Sequence, residues 1–217
     1  MTKAGILPEA AMTTATRTPL VHSYLYLRRA IGLIGLALPF VLILGKQLVQ
    51  GGDLIGSLSG YYYTDLRNVF VGAMCAVGVF LLAYYGHDFV DNVASTVAGL
   101  GAIGLALFPT TPGTAPTTWD RSSGVLHLVF AAVFFLSLAY FCLRLFPRDG
   151  EHSARFGSLY RTCGVVILAC LVLITLTSSL GLVPSLHPAL WLEAVAVEAF
   201  GVAWLAKGQT LTPKSVP

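Results

Sequence analysis

Apolar residues fall in six long runs separated by short polar stretches, at about 30–48, 69–85, 93–108, 124–146, 163–183 and 188–206. Each is long enough, or nearly so, to cross a hydrocarbon core of ~30 Å as a helix rising ~1.5 Å per residue. The pattern predicts an all-α polytopic membrane bundle of six transmembrane helices over residues 28–208. A flexible N-terminal tail (1–27) precedes it and a C-terminal tail (209–217) follows. The third run is short and rich in small residues (Ala98, Gly99, Gly101, Ala102, Gly104), which places it inside the bundle, where small side chains let backbones approach. Pro39 predicts a kink in the first helix. No internal repeat is visible.

Composition agrees. The chain is 56% hydrophobic and 11% charged, with a mean hydropathy of +0.77; a soluble domain carries about 25% charged residues. A net charge of +3, dispersed along the chain, gives no footprint for nucleic acid. Lys and Arg set the orientation. With the N-terminus inside, ten of the 13 fall on the cytoplasmic side, and only Lys46, Arg67 and Arg121 on the other. This bias predicts both termini in the cytoplasm. No signal peptide is expected from residues 1–27. Cys75, Cys142, Cys163 and Cys170 lie in or beside apolar segments without a CxxC pair, and read as small buried residues.

Two carboxylates stand inside the last apolar run, Glu193 and Glu198. An ionisable group in hydrocarbon is costly, so both are candidate site residues. Glu193 lies ~8 Å inside the outer end of its helix. His127 lies about one turn inside the fourth helix from the same end. The segment Ser57-Leu58-Ser59-Gly60-Tyr61-Tyr62-Tyr63-Thr64-Asp65-Leu66-Arg67 enters the second helix there, and Trp119, Asp120 and Trp191 fit the same rim. The bland reading is an interfacial aromatic belt with an Asp65–Arg67 rim ion pair. Glu198 is rotated ~140° from Glu193 and set ~7.5 Å deeper, so the two cannot share one narrow face. A carboxylic acid held neutral in a dry pocket is a proton donor; the other reading pairs Glu198 with Thr175, Thr177 or Ser178.

On the cytoplasmic side, His87 and Asp91 have the i, i+4 spacing of metal ligands, but Gly86 argues against a continuous helix there, and pairing with nearby arginines is the simpler expectation. Haem needs two histidines at matched depth, and only His127 is within a helix. A metal-dependent hydrolase built on His87, His127 or His187 would lack an HxxxH pair. No metal or cofactor is expected.

The run Ser59-Gly60-Tyr61-Tyr62-Tyr63-Thr64-Asp65-Leu66-Arg67-Asn68-Val69-Phe70-Val71-Gly72 resembles a family of small bacterial six-span membrane proteins of unknown function. Leu126-His127, Trp191-Leu192-Glu193 and Phe200-Gly201 match it further; Glu198 departs from it. The resemblance implies a bacterial inner membrane location. Size, hydropathy and residue types are also similar to those of bacterial integral membrane terpene cyclases, an analogy without a matching motif. It implies proton-initiated cyclisation of an isoprenoid or other lipid or prenylated small molecule. Glu193 or Glu198 would give the proton, with Asp65 or His127 as partner. Tyr61, Tyr62, Tyr63, Arg67, Trp119, Trp191 and Phe200 would shape the substrate site. The alternative is a non-enzymatic small transporter, proton-coupled channel or membrane assembly factor. Oligomeric state stays open.

Overall fold

The computed structural model describes residues 9–86, 88–148 and 150–209, with side chains over 25–86, 88–148 and 156–208. Six helices build it: α1 (Glu9–Val49), α2 (Arg67–Leu82), α3 (Phe89–Leu107), α4 (Thr118–Tyr140), α5 (Gly150–Leu180) and α6 (Pro188–Gln209). The chain is a polytopic all-α membrane bundle. Five segments are long and apolar enough to cross a membrane: Leu25–Val49, Phe89–Leu107, Thr118–Arg148, Phe156–Leu180 and Pro188–Gly208. The short helix is α2, not the third as expected: its 16 residues rise only ~24 Å. Helix α1 begins at Glu9, within the segment expected as a tail, and runs unbroken through Pro39. The first eight residues and the C-terminal tail beyond 209 lie outside the described residues.

Local chemistry fixes the helix ends. At the start of α4, Asp120 N–H donates to Thr117 Oγ1 at 3.2 Å and Thr117 N–H donates to Asp120 Oδ2 at 2.8 Å, a reciprocal cap. Asp88 Oδ1 accepts the Asp91 N–H at 2.9 Å and caps α3. Lys46, one of the few cations expected outside, closes the end of α1 by donating from Nζ to the Gly51 carbonyl at 2.5 Å and to the Asp53 carbonyl.

Packing is strongest between α1 and α6, α5 and α6, α3 and α4, and α2 and α3, and weaker at the α1–α2 and α4–α5 seams. Glycine allows the closest helix contacts. A Cβ on Gly201 would stand 2.8 Å from Leu36 N and 2.9 Å from the Gly32 carbonyl, so α1 and α6 touch backbone to backbone. The Gly78–Gly99 pair does the same for α2 and α3, with each hypothetical Cβ within 2.9 Å of the other's carbonyl. The small residues of α3 do let it approach α2 and, at Gly101, Phe134 of α4, but α3 is not interior: Val90, Val93, Val97 and Leu100 leave one of its faces exposed.

The end that carries the connections 50–66, 108–117 and 181–187 is called the loop end; α6 finishes beside Arg28 and Arg29 at the opposite, terminal end. The terminal half is filled with aromatic rings. Trp204 lies 4.8 Å from Phe146, 5.0 Å from Phe141 and 5.4 Å from Phe200, centroid to centroid. Two cations are buried there: Arg28 Nη2 donates to Tyr84 Oη at 2.7 Å, and Lys207 Nζ donates to the Phe146 carbonyl at 3.1 Å. At the terminal edge of the spans, Arg148 pairs with Asp88 at 2.8 Å and with Asp91 at 3.8 Å, the arginine pairing expected for this loop. The Asp91 N–H bond, and after it the Arg148 guanidinium, hold the Asp88 carboxyl below the usual carboxylate range. Cys142, Cys163 and Cys170 are buried and Cys75 is half-buried, all as free thiols.

Candidate functional site: a cavity at the loose α4–α5 seam

The first two-thirds of α5 is anchored by buried Tyr160, Cys163, Ile167 and Cys170. Beyond Leu171 it stands off the bundle, exposing Val172, Leu173, Leu176 and Leu180. The weak α4–α5 seam thereby leaves a cavity of about 430 Å³ at the loop end, within the range of ~300–1,000 Å³ typical of ligand pockets. Its walls are apolar: Leu128, Ala131, Ala132 and Phe135 of α4 face Leu171 and Ile174 of α5. Its polar lining comes from Ser57, Ser59, Thr110, His127, Thr175, Ser178 and Glu193. Ser178 and Ala189 also line a smaller recess of about 250 Å³ beside His187, so the two spaces adjoin.

Glu193 is positioned by the connection between α1 and α2. The Leu190 N–H, unpaired in the first turn of α6, donates to the Gly56 carbonyl at 3.0 Å and docks that connection on the helix. A short 3-10 turn, Ser59–Tyr63, starts there. The Leu58 N–H donates to Glu193 Oε2 at 2.7 Å, and the Ser59 N–H reaches the same oxygen at 3.3 Å. Glu193 Oε1 takes no hydrogen bond from the described residues.

His127 is held in the same manner. Its Nδ1 lies 2.8 Å from the Phe108 carbonyl and 3.0 Å from the Leu105 carbonyl. Carbonyls only accept, so Nδ1 carries the proton, and Nε2 of the neutral ring is the unprotonated nitrogen. Nε2 makes no hydrogen bond with the described residues. Glu193 and His127 thus each use one polar atom for anchorage and keep the other available, and both line one cavity.

The remaining predicted site residues are elsewhere. Tyr61 is fully buried in the core; burial pushes its phenol up. Tyr62 is covered by Arg67, whose guanidinium carbon is 4.1 Å from the ring centroid and whose Nη2 donates to Tyr62 Oη. Tyr63 Oη donates to the Thr110 carbonyl at 2.6 Å and ties two loop-end connections together. Asp65 is exposed and forms no ion pair with Arg67 among the described residues, so the rim pair is corrected: Arg67 prefers the aromatic ring beside it. Trp119 is 67% exposed in the first turn of α4, away from the cavity wall. Phe200 packs among Phe134 and Trp204 in the core.

Glu198 and Trp191 line a different space, a groove between α1 and α6. The suggested hydrogen bonds from Glu198 to α5 do not form: Thr175 and Thr177 donate to the carbonyls of Leu171 and Leu173 one turn back. Thr175 and Ser178 belong instead to the cavity of Glu193. His87 is outside the described residues, and no group of three or more His, Cys, Asp or Glu suited to a metal ion occurs among the described residues. Ser57, Leu58 and Ser59 stand in the outer-end run of the sequence without a role assigned to them, and Thr110 was not singled out. The Gly56-Ser57-Leu58-Ser59-Gly60 run signals a turn, but nothing in it tells that the turn closes over α6. Comparison with protein-family models, curated proteins and solved structures finds no match to this chain.

Proposed function

We propose that this chain is a membrane-embedded enzyme that acts on an isoprenoid or other lipid by proton-initiated chemistry, in the manner of a membrane terpene cyclase. One observation carries the reading: Glu193 and His127, each anchored through a single atom, line the same apolar-walled cavity. In the proposed cycle, protonated Glu193 delivers its proton from Oε1 to the less substituted carbon of a terminal isoprene double bond. The π pair forms the new C–H bond and leaves a tertiary carbocation. A second double bond attacks it and closes a ring. His127 Nε2 takes a proton from the carbon beside the final cation, and that C–H pair becomes the product double bond. When the product leaves, water entering the cavity takes the proton from His127 and reprotonates Glu193. Substrate and product are isomers, so no oxidant or reductant is consumed. Apolar walls exclude water, which would otherwise trap the cation, and Phe135 offers it one aromatic face. Tyr61, Trp119 and Phe200 lie outside the cavity wall, so cation stabilisation falls to Phe135 and to the Glu193 carboxylate left by proton transfer.

The reading includes a bacterial inner membrane location with both termini cytoplasmic, supported by Arg28, Arg144, Arg148, Arg161 and Lys207 at the terminal end. The cavity then opens near the outer leaflet, and a prenyl tail enters through the α4–α5 seam. The alternative, a small transporter or proton-coupled channel, draws on the adjoining recess beside His187. It needs a continuation toward the terminal end, where the Trp204 cluster fills the bundle. Incubating the purified protein with neutral prenylated compounds and searching by mass spectrometry for isomers of unchanged mass tests the proposal. Isomerisation by wild type that Glu193→Gln lacks is the expected result; wild-type protein that converts no prenylated compound contradicts it.

A further inference from the structure

Glu198 sits midway along the 22 residues of α6, at the depth where a bilayer has no water and its acyl chains carry no polar group. The residue is half-buried, and its carboxyl group makes no hydrogen bond with the described residues. It lines an apolar groove of about 450 Å³ between α1 and α6, together with Pro39, Phe40, Leu44, Trp191 and Val195. Several of these side chains project outward: Phe40 is 55% exposed and Leu44 58%. The face therefore carries a hollow, large apolar knobs beside it, and one polar group that the described residues leave without a donor.

We propose that this α1–α6 face is the interface of a homodimer, in which the Glu198 carboxyl groups of two copies hydrogen-bond to each other across a two-fold axis. A two-fold interface must be self-complementary, since the same patch serves both partners. A neutral carboxylic acid meets that demand: each O–H donates to the other's carbonyl oxygen, giving two reciprocal bonds and satisfying both groups in hydrocarbon. Bilayer acyl chains cannot supply the missing donor. The knobs and the hollow lie on one face, so Phe40 of one copy is placed to enter the groove of the other. The proposal is independent of the chemistry assigned to Glu193, which lines a different cavity.

The test is the mass of the full-length protein, released from nanodiscs or mild detergent and measured by native mass spectrometry across a dilution series. Wild type is expected to be dimeric. Glu198→Gln keeps a self-complementary amide pair and is expected to remain dimeric. Glu198→Leu is expected to raise the dimer dissociation constant about tenfold or more, from the loss of two intramembrane hydrogen bonds, with an unchanged far-UV circular dichroism spectrum. Val195→Cys provides a second readout: its thiol, beside the groove, is expected to cross-link two copies under mild oxidation beyond the wild-type background from Cys75. A monomeric wild type overturns the proposal, as does a dimer that Glu198→Leu leaves intact or that Glu198→Gln abolishes. A monomer carrying a bound small molecule that Glu198→Leu releases also overturns it, assigning the groove to a lipid-phase ligand instead.

Discussion

The Leu58 N–H donates to Glu193 Oε2 at 2.7 Å across 135 residues of sequence, and this bond joins the α1–α2 connection to the last helix. It gives Glu193 a structural task apart from any chemistry. Replacing Glu193 with Leu strands a part-buried N–H and is expected to cost about 1–3 kcal/mol. Glu193→Gln keeps an acceptor oxygen and is expected to cost under about 1 kcal/mol. Thermal unfolding of both variants in one detergent separates the two; equal midpoints would show that the bond is not maintained.

His127 lends itself to the same separation. In His127→Asn, the amide nitrogen stands near the place of Nδ1 and still reaches the Leu105 and Phe108 carbonyls, while the Nε2 lone pair is gone. Stability is expected to change by less than about 1 kcal/mol, and turnover on a confirmed substrate to fall about 10²–10⁴-fold, the contribution typical of a positioned acid or base. His127→Phe leaves both carbonyls without their donor and is expected to lower the unfolding midpoint as well. Full turnover in His127→Asn would remove His127 from the chemistry.

The α1–α6 contact predicts a packing defect. Gly201→Val places a branched side chain where even a Cβ would be 2.8 Å from Leu36 N. Backbone cannot rotate away as a side chain can, so the helices must separate. A loss of about 1–3 kcal/mol is expected, read as a lower unfolding midpoint. Gly72→Ala, where a Cβ would meet nothing within 4 Å, is the control and is expected to be neutral.

Asp88 predicts a pH dependence. Its folded-state pKa lies below the ordinary value of 3.8, chiefly through the Asp91 N–H and then through Arg148. A depressed carboxyl stabilises the fold above the unfolded pKa, and that contribution disappears as pH falls through the folded value. Asp88→Asn still caps α3 but cannot titrate. Between about pH 6 and about pH 3, the wild-type midpoint is expected to fall more steeply than that of Asp88→Asn. Parallel curves would show that the Asp88–Arg148 pair contributes nothing in solution, a common outcome for exposed pairs.

The helices were legible because apolar length alone marks them; the starts of α3 and α4 were not, because Asp88 and Thr117 cap polar first turns that precede the apolar runs at 93 and 124. Helix neighbours were not legible. In a membrane both the lipid-facing and the core-facing sides of a helix are apolar, so no polar stripe tells which face is inside. The same degeneracy explains the aromatic assignments. Phe200 and Trp204 fill the core, and Trp191 lines an outward groove, yet in sequence each is an aromatic residue in an apolar run. Glu193 and His127 stood out because ionisable groups are rare in such runs. Their shared cavity depends on a feature no pattern shows, the departure of α5 from the bundle beyond Leu171. The 5-residue offset between Glu193 and Glu198 was readable from helix geometry, and the two carboxyl groups do line separate spaces.

The central claim is that Glu193 acts as an acid toward a lipid-soluble substrate in the α4–α5 cavity. The most direct measurement compares wild type with Glu193→Gln on a neutral prenylated substrate, run in deuterated water with products resolved by mass spectrometry. Wild type is expected to yield a cyclised isomer carrying one deuterium at the protonated carbon. Glu193→Gln, equally folded by circular dichroism, is expected to yield at least about 100-fold less. Product formed by Glu193→Gln at the wild-type rate, or wild-type product without deuterium, would contradict the account.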